Sequence, residues 1–413
     1  MAKKKEKPSP ESTASAVLSG IKALIESATK VSGSQVCLAS DLHERVWGLP
    51  CDHISYRWLS DVTCYQMGKI FGVAGAKESC KSAYAMSMAR LFMDAGGICV
   101  YIDTENKKSP PLYQAVVGYA NTQKTIDFLS FHTEEWQQQL TQAIEDIEVN
   151  ESLNKIPVMF IVDSLGGVDT EESRERIDKE GAASPRNTGG MVKCKSHNEF
   201  FRFIPKKLFL RPYSLIYINH LSDDPGSPIP GAKRKPGGTG QDYHAVLDFW
   251  FSAVKSTPVF KKNRGFTEKI LKIKVNKNSM GTSQRNLEIP YRWENDPGTG
   301  QISRCWFDWD AATAMMLADP SPNGVKSRLT DILNVTENGN KYSCKELGLV
   351  AVTDTQLGEA IRANVELRER ISDALGINRM KVWEGLGLPK EDADVYEQSL
   401  YRGPVQEETP KEE

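Results

Sequence analysis

The chain has no C-x-x-C pair among its eight cysteines, at positions 37, 51, 64, 80, 99, 194, 305 and 344, and no histidines beside them at zinc spacing. Nothing therefore points to a zinc module, and the thiols read as buried and reduced, as in a cytosolic protein. No apolar run is long enough to span a bilayer, which argues against membrane insertion. The opening MAKKKEKPSPESTAS carries a basic cluster without an apolar stretch before a small-residue cleavage site, so a secretory signal is not supported. Charge of one sign is lacking as well. The 52 Lys+Arg and 54 Asp+Glu leave a formal net charge of -2, so a role on nucleic acid cannot rest on bulk electrostatics and needs a local basic patch. No internal repeat is visible.

What is present is a length of 413 residues, enough for a large central domain with smaller attachments. From Gln66 to about Asp310, short apolar runs alternate with longer helical or polar stretches: MGKIFGVA, ICVYID, TIDFLSF, VMFIVD, SLIYINH and VLDFWFSAV. Near-continuous apolar strands separated by helix-length segments predict an α/β fold with a mostly parallel sheet between helices. In the later run KILKIKVNKN, Leu271, Ile273 and Val275 alternate with Lys272, Lys274 and Asn276, as in a strand with one wet, basic face.

Upstream, SAVLSGIKALIESATK places Val17, Ile21, Leu24 and Ile25 on one helical face. Downstream, DTQLGEAIRANVELRERISDALG has a capping-type start and Gly376 near its end. The expected organisation is a disordered basic tail (1–15), an N-terminal helix and lead-in (16–65), the central core (66–310), a small C-terminal helical domain (311–389) and an acidic, mobile tail (390–413). Two long glycine-containing polar segments inside the core, 166–195 and 222–242, read as functional loops.

The stretch GAKESCKS holds most of the chemistry. In a phosphate-binding loop, glycine-rich backbone wraps phosphates with N–H donors, a lysine reaches the terminal phosphates, a hydroxyl holds magnesium, and the following helix N-terminus adds a favourable dipole. Gly75, Lys81 and Ser82 stand at that spacing between a strand-like KIFGVA and a helix-like AYAMSMARLF, and Cys80 alone departs from the pattern. The cradle would comprise Gly75, Ala76, Lys77, Glu78, Ser79, Cys80, Lys81 and Ser82. Two more strands end in carboxylates: Asp163, where magnesium needs one, and Asp103 with Glu105, where one can orient or deprotonate a water. A buried strand ending in Asp is common; strand-end carboxylates together with the loop point to a nucleoside triphosphatase.

In this respect the chain resembles the RecA-family recombinases, and in particular the phage UvsX type, in which the last glycine before Lys-Ser is also replaced. The resemblance runs from about Met67 to Tyr291 and follows the family order GAKESCKS, YIDTEN, FIVDS, LIYINH and KPGGTGQDY. It implies a RecA-like P-loop ATPase core using ATP and Mg2+, with Glu105 as the catalytic carboxylate and Ser82 and Asp163 at the metal. It implies His220 as a sensor of the terminal phosphate, where a lone histidine could instead be a core residue. Lys277 would be a cation offered to a neighbouring subunit's nucleotide, against the alternative of an exposed edge lysine, and the family's second cation falls on Ser279. Tyr113 would stack on adenine, against plain packing.

The same resemblance turns the two long loops toward DNA. Arg186, Met191, Lys193 and Lys195 come from the first. Lys233, Arg234 and Lys235 come from the second, with Gly237, Gly238, Thr239 and Gly240 letting backbone N–H groups approach phosphates. The implied activity is a DNA-dependent ATPase that forms helical homo-oligomeric filaments on single-stranded DNA and pairs it with a duplex. It would act in recombination and repair beside single-strand-binding and mediator proteins, in the cytoplasm of a phage's bacterial host. Two alternatives stay open: a hexameric DNA helicase on the same core, and a nucleotide-binding filament scaffold without turnover.

Overall fold

The computed structural model describes residue 23 and residues 47–383 apart from 181–188, 210, 225, 230, 255–256 and 321–324. The expected tails, all of the N-terminal helix but Ala23, and Arg186 lie outside the described residues. The chain divides into two units, Met1–Val46 and Trp47–Glu413, and residues 47–383 fall in the second.

All six apolar runs form strands, and they are mutually parallel. In chain order they are β1 (Lys69–Gly75), β2 (Ile98–Asp103), β3 (Thr125–Leu129), β4 (Val158–Asp163), β5 (Tyr213–His220) and β6 (Leu247–Ala253). Four further strands are antiparallel: β7 (Val259–Lys261), β8 (Phe266–Asn278), β9 (Asn286–Asn295) and β10 (Ile302–Phe307). The ten-stranded sheet runs β10-β9-β8-β6-β1-β5-β4-β2-β3, with β7 on β8. The fold is thus α/β with a large, mostly parallel central sheet flanked by helices.

Strand periodicity explains how one sheet supports two cores. Val73, Tyr101, Ile161 and Ile216 project into one hydrophobic cluster that includes the Lys81–Asp94 helix. Their neighbours Ile70, Val100, Phe160 and Leu215 project into the other, against the Thr133–Val149 and Gly189–Leu208 helices. Because both faces are covered, these strands read as continuous apolar runs. The β8 strand alternates as expected: Leu271, Ile273 and Val275 are buried, while Lys272 and Lys274 are exposed.

The C-terminal part differs from expectation. It contains helices, but also a three-stranded antiparallel sheet, Val335–Asn338, Lys341–Cys344 and Leu349–Val352. Its Leu357, Ile361 and Ile371 belong to the same cluster as Leu49 and Val73, so the described part of segment 311–389 shares a core with the central region. The expected long helix is two, Asp354–Ala363 and Val365–Ala374, because Asn364 caps the second by accepting the Leu367 N–H at 3.0 Å. The predicted start is present as a capping box between Thr353 and Gln356.

The segment 166–195 is mostly not a loop. Helices Glu171–Glu180 and Gly189–Leu208 flank the undescribed stretch 181–188.

Candidate functional site

The C-terminal ends of β1, β2, β4 and β5 open into one cavity of about 530 Å3, lined by Lys81, Ser82, Asp103, Glu105, Asp163 and His220 among others. Ligand sites in open α/β sheets form beyond such strand ends. After Gly75 the chain turns and enters the Lys81–Asp94 helix. A Cβ on Gly75 would lie 2.5 Å from both the Phe251 carbonyl oxygen and Ser79 Oγ, so only glycine fits there. Cys80 is the helix N-cap with φ 60°, in the left-handed region that favours glycine. That explains why the pattern calls for glycine before Lys81; cysteine holds the same conformation at a cost of roughly 1 to 2 kcal/mol.

Lys81 is buried and folds back on the loop, donating to the carbonyl oxygens of Gly75 at 3.1 Å and Ala76 at 2.8 Å. Burial lowers its pKa, opposed by the nearby carboxylates of Asp163 and Glu105. Ser79 is buried and donates to the Ala76 carbonyl at 2.7 Å, while Ala76, Lys77 and Glu78 are exposed at the rim.

Asp163 accepts hydrogen bonds from Ser82 and from Tyr101 Oη, the latter at 2.7 Å. Burial raises its pKa, and those two hydrogen bonds act against the rise. A hydroxyl beside a carboxylate is a hard oxygen donor set that suits magnesium.

Glu105 is the most heavily bonded group in the cavity. Its Oε1 accepts from Ser164 Oγ at 2.5 Å and His220 Nε2 at 2.8 Å, and its Oε2 accepts from Lys107 Nζ at 2.8 Å. Desolvation alone would raise its pKa, but the donors Lys107, Ser164 and His220 outweigh it and bring the carboxyl down to about 2. Asp103 has a different task. Its Oδ1 accepts the Glu105 N–H at 3.1 Å and its Oδ2 the Lys108 N–H at 2.8 Å, so it shapes the turn that presents Glu105.

From His220 a polar chain leads away from the cavity. The His220 backbone N–H donates to Asn219 Oδ1 at 2.8 Å, and Asn219 Nδ2 donates to Gln241 Oε1 at 2.9 Å. Gln241 Nε2 then donates to the carbonyls of Pro236 at 2.8 Å and Gly238 at 3.0 Å.

Several expected residues lie elsewhere. Tyr113 does not face the cavity. It is buried, hydrogen-bonds Thr125 Oγ1 at 2.6 Å, sets its ring edge-on to Tyr101 and carries the Lys108 ammonium 3.6 Å from its ring centre, so the packing alternative holds. The aromatic wall comes instead from Tyr291 and Trp293 on β9, with Ile302 on β10 beside them. Their i, i+2 spacing in IPYRW was the available signal. Lys269 also lines the cavity and donates to the Glu78 carbonyl at 2.9 Å. Lys277 is not among the lining residues; it donates to the carbonyls of Asp242 at 2.7 Å and Tyr243 at 2.8 Å.

The expected DNA loops are divided. Met191 and Lys195 are exposed, but Lys193 is buried and donates to the carbonyls of Gly166, at 3.4 Å, and Val168. Lys233 and Arg234 are exposed and pair with Asp223 at 2.5 Å and Asp224 at 3.9 Å. The Lys235 side chain is buried between Asp242 and Asp248, the latter at 2.9 Å, and forms a structural ion pair. Gly240 is buried, whereas Gly237 and Gly238 are half-buried with φ 94° and 87°, in the left-handed region that favours glycine. A Cβ on Gly237, Gly238 and Gly240 would meet His197 Nδ1 at 2.9 Å, Cys194 Cβ at 3.2 Å and Asn198 Oδ1 at 2.2 Å respectively, and the Gly240 N–H already donates to Asn198. Their missing side chains let this turn lie against the Gly189–Leu208 helix. Thr239 N-caps the short Gly240–His244 helix without a side-chain bond.

No protein-family model matches the chain, and no curated protein matches it. No helix among the described residues is long and apolar enough to cross a membrane.

Proposed function

We propose that the protein is a magnesium-dependent ATPase of RecA-like type, acting as a recombinase that forms helical filaments on single-stranded DNA. The observation that carries the ATPase reading is the convergence of Lys81, Ser82, Asp163, Glu105 and His220 at neighbouring parallel strand ends around one cavity. The six parallel strands, ordered β6-β1-β5-β4-β2-β3, put the lysine-bearing loop beside the strand that ends in His220 and near the carboxylate strands.

In this reading the Lys81 ammonium exchanges its two carbonyl partners for phosphate oxygens, a stronger charge-assisted contact. Ser82 and Asp163 would hold Mg2+, which when bound neutralises charge on the phosphates. Tyr291, Trp293 and Ile302 offer an apolar wall to the base. Glu105 orients a water whose oxygen bonds to the terminal phosphorus as the bond to the bridging oxygen breaks. ADP leaves with that electron pair and Glu105 takes the water's proton. His220 bonds Glu105 directly, so a terminal phosphate that disturbs this pair acts on Asn219, Gln241 and the glycine turn.

The recombinase reading draws on the resemblance and on exposed Met191, Lys195, Lys233 and Arg234. Electron microscopy of the protein with ATP, Mg2+ and single-stranded DNA tests it. Open helical filaments support it, whereas closed rings with duplex unwinding favour a hexameric motor. Filaments with no ATP turnover leave a scaffold.

A further inference from the structure

We propose that Lys107 restrains Glu105: its ammonium occupies a carboxylate oxygen that serves to take a proton from water. This rests on the ATPase reading and adds a positioning residue to it.

The three donors on Glu105 are unequal in mobility. Ser164 is buried, and its carbonyl accepts from Thr104 Oγ1 at 2.6 Å. His220 follows the fully buried Asn219, which accepts its N–H. Both therefore hold Oε1 from fixed backbone. Lys107 differs: its side chain is 76% exposed, and among the described residues its ammonium bonds to Glu105 alone.

The local backbone places it there. Asn106, between the two residues, has φ 52° and turns the chain back so that side chains two apart can meet. Asp103 secures that turn at both ends through the Glu105 and Lys108 N–H groups. The turn is held, and the long stem of Lys107 is its free part.

Consequences follow from charge. With Oε1 taken twice and Oε2 taken once, by Lys107, the carboxylate carries three donors and is weakly basic, the opposite of what a proton acceptor needs. An exposed ion pair biases its partners by no more than about fivefold, so with a polyphosphate in the same cavity the ammonium is shared between Glu105 and the phosphates and the restraint is partial. Lys107 lines that cavity.

The test compares parent, Lys107→Ala, Lys107→Arg and Lys81→Ala in steady-state ATP hydrolysis with Mg2+, with and without single-stranded DNA, reading kcat and KM separately. Lys107→Ala is expected to raise kcat by up to about fivefold with KM unchanged or raised, since removal of the cation leaves Oε2 free. Lys107→Arg keeps the cation and should stay near the parent. A Lys107→Ala kcat at or below the parent's, or an arginine variant that matches alanine, overturns the restraint while leaving the ATPase reading intact. A parent rate no higher than that of Lys81→Ala both with and without single-stranded DNA overturns the ATPase reading, and this proposal with it.

Discussion

Lys81 Nζ lies 3.1 Å from the carbonyl oxygen of Gly75, six residues earlier in the chain, and bridges the loop that joins β1 to its helix. A buried ammonium held by neutral carbonyls is poorly compensated, which is why burial lowers its pKa. The arrangement favours an incoming anion. Lys81→Ala should therefore weaken ATP binding by at least about a hundredfold, as expected for the loss of charge-assisted hydrogen bonds. Titration with a fluorescent ATP analogue reads this directly, and parent-like affinity would show that the loop does not hold phosphates.

Lys233, Arg234 and Lys235 are consecutive cations with opposite duties. Lys235→Ala leaves Asp248 buried without its ammonium and should destabilise the fold by about 3 to 5 kcal/mol in urea titrations. The double substitution Lys233→Ala with Arg234→Ala should change stability by about 0.5 kcal/mol or less. It should instead lower the log-log salt slope of single-stranded DNA binding by up to about 1.4, at roughly 0.7 per phosphate contact. A Lys235→Ala variant as stable as the parent contradicts the structural role assigned to that pair.

The contrast between these neighbours shows what sequence could convey. The parallel strands were legible because burial on both faces leaves an uninterrupted signature, as in Val158–Asp163. Strand-end carboxylates and the Lys81 loop were legible because their spacing is local. Lys235 was not, since its partners Asp242 and Asp248 reach it through tertiary placement. The same holds for Lys193, whose acceptors lie on a segment more than twenty residues away. Tyr113 resembles a cavity residue in sequence, but a helix turns only one of two neighbours inward, and Leu112 lines the cavity in its place. The glycines at 237, 238 and 240 read as phosphate-binding backbone in sequence; the structure adds that the Gly189–Leu208 helix packs close on all three and that Gly237 and Gly238 have positive φ.

His197 gives a pH dependence of stability. It is fully buried, with Nδ1 3.3 Å from the Gly237 carbonyl oxygen. Burial pushes its pKa down from 6.5 to about 4, helped by the Lys193 charge. The folded state therefore binds the proton less readily than the unfolded state, whose histidine titrates near 6.5. Stability is full above about pH 6.5 and falls as pH drops toward 4. Between pH 7 and 5 the parent should lose about 2 kcal/mol more than His197→Phe in urea midpoints measured at each pH. Equal losses in the two proteins would mean that His197 protonates without strain.

Glu105 separates binding from chemistry. Its carboxylate lies among Ser164, His220 and Lys107 and takes no part in the bonds of Lys81 or in the Ser82–Asp163 contact. Glu105→Gln keeps the shape and removes the basicity, so ATP should bind with parent-like affinity. Turnover should fall about a hundredfold or more, as when a positioned acid-base group is lost. If ATP-bound protein assembles on single-stranded DNA and hydrolysis releases it, filaments of the variant should also outlast the parent's under the microscope. Phosphate release and filament lifetime are to be followed on the same preparation, with and without DNA. A variant that turns over near the parent rate makes Glu105 a structural carboxylate. Asp103 could not simply replace it, because both of its oxygens already hold the turn through the Glu105 and Lys108 N–H groups. The water would then have to be oriented from elsewhere in the cavity, and His220, bonded to Glu105 at 2.8 Å, would be the next group to change.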